Sequence, residues 1–414
     1  MKHILKSALA SVVIFAGTGA AIAQDGPHAE VIHWWTSGGE SAAVKTFADS
    51  FSKAGGVWVD AAIAGGDNAR AAAVNRMIGG NPPAAVQFNI GKQFDDLVDQ
   101  GLLRNLDDIA AANKWKETLP KPVLDSITRN GHIYAAPIDI HGQNWMWYSK
   151  PAFEKAGITN PPANFDELFA DLDKLKAAGV VPLALNGQAR HMALIFNSLL
   201  LAEGGHDLYL KVYRDHDADA VNSPEFKKIV ERFGKFRAYT DAGFTSRLWN
   251  DATSMLIKNT AGVQFMGDWA KGEFTVAQKK QGTDYGCIVG PGTHNYIIGG
   301  DVFIFPKSSD AKQTAAQDLL AKTLLTPEAL IAFNLKKGGI PTRTDVDMSA
   351  FDQCAQDAAS YIKDPANQLP DYGLVMPPDV VGSIQDLVSE YFTDPNFAVD
   401  DFISRFADAI QTAG

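Results

Sequence analysis

The sequence predicts an α/β fold in which a repeating strand–loop–helix unit argues for a parallel sheet. Three observations carry this. The stretch Val31–Glu40 begins as a β-prone run at Val31 and Ile32 and is broken by Thr36, Ser37 and the Gly38-Gly39 pair. It passes into a helix that starts at Ser41 or shortly before, with Val44, Phe47, Ala48 and Phe51 at helical spacing. The same strand–loop–helix unit recurs between residues 65 and 98. The chain has 414 residues, 46% hydrophobic and 21% charged, which is ordinary globular composition with room for two or three domains.

The first strand end is the informative place. Trp34 and Trp35 stand side by side, followed by hydroxyls, a glycine pair and Glu40. Aromatic surface, free backbone N–H groups and a carboxylate therefore meet where strand passes into helix. In open α/β sheets that crevice is where ligands bind.

The N-terminus reads as a secretory signal. Lys2 and Lys6 precede an apolar core at Ala8–Ala16, and Ala21-Ile22-Ala23 fits small-residue cleavage, so the mature chain is expected to start near Gln24 in the periplasm. The net charge of −11 argues against nucleic acid as a partner. Two cysteines, Cys287 and Cys354, in an exported chain suggest one disulfide, with two buried thiols as the alternative.

Along the chain, Gly65-Gly66-Asp67-Asn68 is a turn and Ala69–Ile78 a helix ending at Gly79-Gly80. Ala84–Asn89 reads as a strand with Gln87 and Asn89 at its end, and Gly91-Lys92 leads into a helix through Phe94, Leu97 and Val98. Alternation over Asn144–Trp147 puts Trp145 and Trp147 on one face, and a core position is the better reading of both. Residues 165–177 are an amphipathic helix, and helical patterns dominate to about residue 258. Strand-like Gly262–Met266 meets Gly267-Asp268-Trp269, where Asp268 is expected to cap the next helix. Residues 286–306 are strand-rich, Thr314–Leu325 and Pro327–Leu335 are helices, residues 336–343 read as a linker, and the tail is mostly helical. Asp215-His216-Asp217-Ala218-Asp219 starts like a calcium loop but lacks the required glycine and terminal glutamate, so it reads as a solvated loop. The sequence has no zinc-protease helix, P-loop or serine nucleophile elbow.

Several motifs stand in collinear order over nearly the whole mature chain: Trp34–Glu40, Gly79–Ala84, Val86–Asn89, Ile138–His141, Asn144–Trp147, Met266–Trp269, Gly300-Asp301 and Lys337–Arg343. Together they resemble the extracellular solute-binding proteins of bacterial ABC sugar importers. The class is the maltose-binding-protein-like one, and within it the glucose/mannose-binding branch. The resemblance implies an α/β, two-lobed periplasmic binding protein fold (type II), each lobe a sheet flanked by helices, with the ligand cleft between them. The expected lobes are residues 24–138 plus 293–339 and residues 139–292 plus 340–414, after a signal peptide at 1–23.

The resemblance also implies that Trp34, Trp35, Glu40, Gln87, Asn89, Lys92, His141, Trp269, Asp301 and Lys337 line the site, with Asp67 as a weaker addition. It implies a non-enzymatic monomer with no cofactor and no metal. That monomer would close over a monosaccharide and dock on permease subunits driven by a cytoplasmic ATPase. The chemistry of the residues agrees: a pyranose offers an apolar C–H face to tryptophan and a rim of hydroxyls to carboxylates and amides. In one place the chain departs from the branch, with Val375-Met376-Pro377-Pro378-Asp379 where a cleft histidine is usual. A receptor for a disaccharide, polyol or sulfonated sugar is therefore the second reading. A secreted glycosidase using two of Glu40, Asp268 and Asp301 is the third.

Overall fold

A computed structural model describes residues 26–413, so the signal-peptide expectation lies outside the described residues. A five-stranded sheet has the order Val57–Ala62, His28–His33, Ala85–Asn89, Asp301–Ile304, Ala135–Pro137. His28–His33 runs parallel to both neighbours, as the strand–helix alternation requires. Asp301–Ile304 enters antiparallel, and its register sets Asp301 opposite Asn89. Helices Gly38–Lys53, Ala311–Leu324 and Pro327–Lys337 pack against this sheet. Their core is aromatic, with Phe47 stacked on Phe333 at 4.3 Å between ring centroids.

A second sheet has the order Tyr285–Val289, Trp145–Ser149, Ala261–Phe265, Val181–Leu183. The helices Phe165–Ala177, Ala189–Tyr213, Pro224–Lys235, Pro378–Thr393 and Val399–Gln411 build the core beside it, rich in phenylalanine and tyrosine. Phe165–Ala177 has the bounds its apolar spacing predicts. Trp145 and Trp147 are core residues, their indole N–H groups donating to Tyr296 Oη and to the Met266 carbonyl. Cys287, on Tyr285–Val289, is disulfide-bonded to Cys354, on the helix Gln353–Tyr361, across 67 residues of sequence. Asp217, in the calcium-like stretch, caps the short helix Ala218–Val221.

A third, three-stranded sheet orders Gln368–Pro370, Tyr296–Gly299, His141–Gly142. Residues 296–299, expected with the first lobe, pair here instead, and the chain enters the five-stranded sheet only after Gly300. Three chain crossings therefore lie side by side. Residues 138–141 lead out of the first sheet and residues 299–301 lead back into it. Residues 338–341 leave the helix Pro327–Lys337, and Ile340 and Ile140 exchange two backbone hydrogen bonds of 2.8 Å. Lys336 and Lys337, read as linker, instead complete that helix, which Gly338 ends at φ 107°. A side chain at Gly338 would be strained at that φ, and its Cβ would sit 2.3 Å from the Asp268 carbonyl oxygen.

Candidate functional site

The three crossings carry the charges. Asp301 opens its strand and points one oxygen, Oδ1, at the Gln87 amide, which donates at 2.9 Å. Its backbone N–H donates to Asp139 Oδ1 at 2.7 Å, tying two crossings together. Lys337, the last residue of its helix, places Nζ 3.9 Å from Asp301 Oδ2 and 5.3 Å from the Trp269 ring centroid. A lysine there also faces the negative end of its own helix. His141 Nδ1 lies 3.6 Å from Asp139 and 3.7 Å from Asp301, ion-paired to both at distances too long for hydrogen bonds. Its ring meets Trp269 edge-on at 5.4 Å.

Burial and charge act against each other in this cluster. Burial would discharge His141, but Asp139 and Asp301 outweigh it and hold the imidazole up at about 9. Burial would raise Asp301, but His141, Lys337 and Gln87 hold it down at about 2. Asp139, buried and facing Asp301, is pushed up. Lys337 is raised because four carboxylates outweigh its desolvation. Burial lifts Glu40 to about 7 and Asp268 to about 6, against the pull of Lys337 on both. Asp139, His141 and Asp301 have the spacing of a metal site, yet Lys337 and protonated His141 already supply the cations there.

Of these groups, Glu40, His141, Asp301 and Lys337 line a cleft of about 700 Å³ between the two main sheets with their helices, whereas Asp139 and Asp268 do not. Of the residues expected at the site, Trp34, Trp35, Glu40, Asp67, Asn89, His141, Trp269, Asp301 and Lys337 line it. Trp34 is half-buried, whereas Trp35 is 1% exposed and offers only an edge, its ring packed on Phe303 and Phe333. Glu40 is also the third residue of its helix, forming a reciprocal cap with Ser37. Asp67 sits exposed at the rim, paired with Arg70.

Three expectations are corrected. Lys92 points to solvent off the cleft, because the turn after Asn89 presents the next residue, Gln93, whose Oε1 accepts the Asn89 N–H. Gln87 does not reach the cleft: it is buried beneath it, accepting from the Trp34 N–H and donating to Asp301, and so positions both. Asp268 is not a helix cap; its Oδ2 accepts the Gly142 N–H at 2.8 Å, fastening two strand ends. The sequence reading missed Arg70, Gln143, Arg190, Trp249 and Asp371, which also line the cleft. Gln143 follows His141 by two residues in a strand pattern, a spacing that puts both on one face and could have found it.

The family model for bacterial extracellular solute-binding proteins matches residues 35–330. The chain belongs to that family. A "probable sugar-binding periplasmic protein" of Brucella melitensis is 38% identical over the full length of both chains. An uncharacterized ABC transporter extracellular-binding protein of Pyrococcus horikoshii is 32% identical over 91% of this chain and 86% of its own. Among solved structures, a chitin oligosaccharide binding protein superposes with a TM-score of 0.78 at 18% identity, covering 94% of this chain and 99% of that one. A solute receptor, AcbH, described as exclusive for β-D-galactopyranose, gives 0.77 at 19% identity over 93% and 97%. At such identities the superpositions establish the fold: two α/β lobes with a cleft between them.

Proposed function

We propose that this family member is the exported sugar receptor of an ABC importer, capturing a monosaccharide of the aldohexose type by lobe closure and handing it to the permease. The observation that carries the reading is the cleft wall itself. Trp269 lines the cleft beside a buried ionic cluster of Asp301, Lys337 and His141. An aromatic face suits the C–H side of a pyranose, and fixed ionic groups suit its hydroxyls. Gln143 lines the same wall, its Nε2 3.2 Å from His141 Nε2. The Brucella relative's name points the same way. The lobes are taken as 24–138 plus 300–339 and 139–299 plus 340–414, following the strand pairing of 296–299, the chain as a monomer, and lobe closure rather than bond-breaking as its action.

The test is a thermal-shift and calorimetric titration of the mature protein with glucose, galactose, mannose, xylose, maltose and a polyol. One aldohexose is expected to bind at micromolar strength, about −8 kcal/mol, and to lose that binding in Trp269→Ala. A response confined to maltose or the polyol would keep the receptor role and discard the monosaccharide.

A further inference from the structure

We propose that the solute carries an anionic substituent, held between Arg190 of one lobe and Arg70 of the other. This rests on the sugar-receptor reading and narrows it to a sugar bearing an acidic group. Arg190 lies in the first turn of the helix Ala189–Tyr213, half-buried in the cleft wall, its guanidinium 5.8 Å from the Trp269 ring centroid. Ten of the eleven arginines hydrogen-bond or ion-pair with a carboxylate or carbonyl oxygen; Arg190 alone, among the described residues, has no such partner. A rigid fork of donors left unmatched in a ligand cleft is shaped for an incoming carboxylate or phosphate.

The surroundings favour the same charge. Gln188 makes no side-chain cap on this helix, so the positive helix end and its unshared N–H groups add to Arg190. Arg70, in the first lobe, lies 5.5 Å from the Trp34 ring centroid, paired only with exposed Asp67. Burial, and the charge of Arg190 reaching it across the cleft, depress Arg70. Two tryptophan–guanidinium pairs thus face each other from opposite lobes. Without an anion, closure brings like charges together; an anion between them turns that repulsion into a bridge. Asp371, the carboxyl of the wall whose field meets Arg190, makes no ion pair with it and accepts the Gly373 N–H instead.

The experiment is calorimetric titration of the mature protein with glucose against glucuronate, galactose against galacturonate, and glucose 6-phosphate, at low and raised salt. One anionic probe should bind about tenfold or more tightly than its neutral counterpart. Added salt should shrink that ratio. It should fall to about one in Arg190→Gln and be partly kept in Arg190→Lys, with melting temperatures of both variants confirming folded protein. The carboxylate and phosphate arms distinguish which anion is meant. Neutral sugars binding as tightly as every anionic probe, or a ratio untouched by Arg190→Gln, would overturn the inference while leaving the sugar receptor standing. If the chain binds no sugar, neutral or anionic, the receptor reading itself falls.

Discussion

Glu40 does two jobs that conflict, and the conflict is measurable. As the third residue of its helix it caps Ser37, while burial lifts its carboxyl from 4.5 to about 7. The folded state thus holds this proton more tightly than the unfolded chain. The resulting stability is fully present below the ordinary value of 4.5 and is lost as pH rises through about 7. Glu40→Gln keeps the cap and removes the titration. Relative to wild type, the variant is expected to gain about 1–3 kcal/mol on going from about pH 5 to about pH 8, read by urea unfolding at both. Asp268 titrates in the same window in both proteins and cancels from the comparison. An equal difference at the two pH values would refute the shift. Residue chemistry of this kind was legible where strand ends announced themselves: Trp34, Glu40, Trp269 and Asp301 each follow a β-prone run or a glycine pair. Arg190 and Asp371 gave no such signal, because their roles come from elements that meet only in three dimensions. Lys92 was misplaced by one position, since a tight turn exchanges neighbours between cleft and solvent.

Elements show where the lobes touch outside the crossings. The first turn of Gly38–Lys53 lies against the helix Ala270–Val276, and Glu273 Oε1 accepts the Gly39 N–H at 2.8 Å. A Cβ at Gly39 would sit 2.4 Å from the Gly272 carbonyl carbon, so only glycine permits this approach. Gly39→Ala is expected to part the two helices, lower stability by about 1–3 kcal/mol, and weaken solute binding by shifting Glu40 and Trp269 apart. Parallel urea and calorimetric titrations would show both losses; an unchanged affinity would mean that this contact does not set the cleft. The glycine pair was readable as a strand breaker, but its partner helix was not, because a backbone-to-backbone approach leaves no pattern in one sequence. Periodic elements fared better: Phe165–Ala177 follows from its apolar stripe alone. Tyr296–Gly299 shows the opposite case, a short apolar strand whose sheet is decided by its pairing partners rather than by its own residues.

At the scale of the whole molecule, the same three crossings join the two main sheets and carry charge, and the proposed lobe closure would require them to bend. Asp139 and His141 stand on one, Asp301 on the second, and Lys337 at the entry to the third, so the ionic cluster is fastened to the segments that link the lobes. A solute that hydrogen-bonds Asp301 and Lys337 pulls on those segments directly and gains more contacts as the far walls approach. On the proposed closure, its affinity would include the closing of the lobes, and closing would distinguish the bound receptor from the empty one. Saturating solute is accordingly expected to reduce the radius of gyration in small-angle scattering. At about one hundred times its dissociation constant it should also stabilise the fold by about 2.7 kcal/mol. In Lys337→Met, where a buried carboxylate loses its cation, the compaction should be lost at matched occupancy because the crossings no longer feel the ligand. Compaction that persists in that variant would place the trigger in the aromatic walls, Trp34 and Trp269, and leave the crossings as passive hinges.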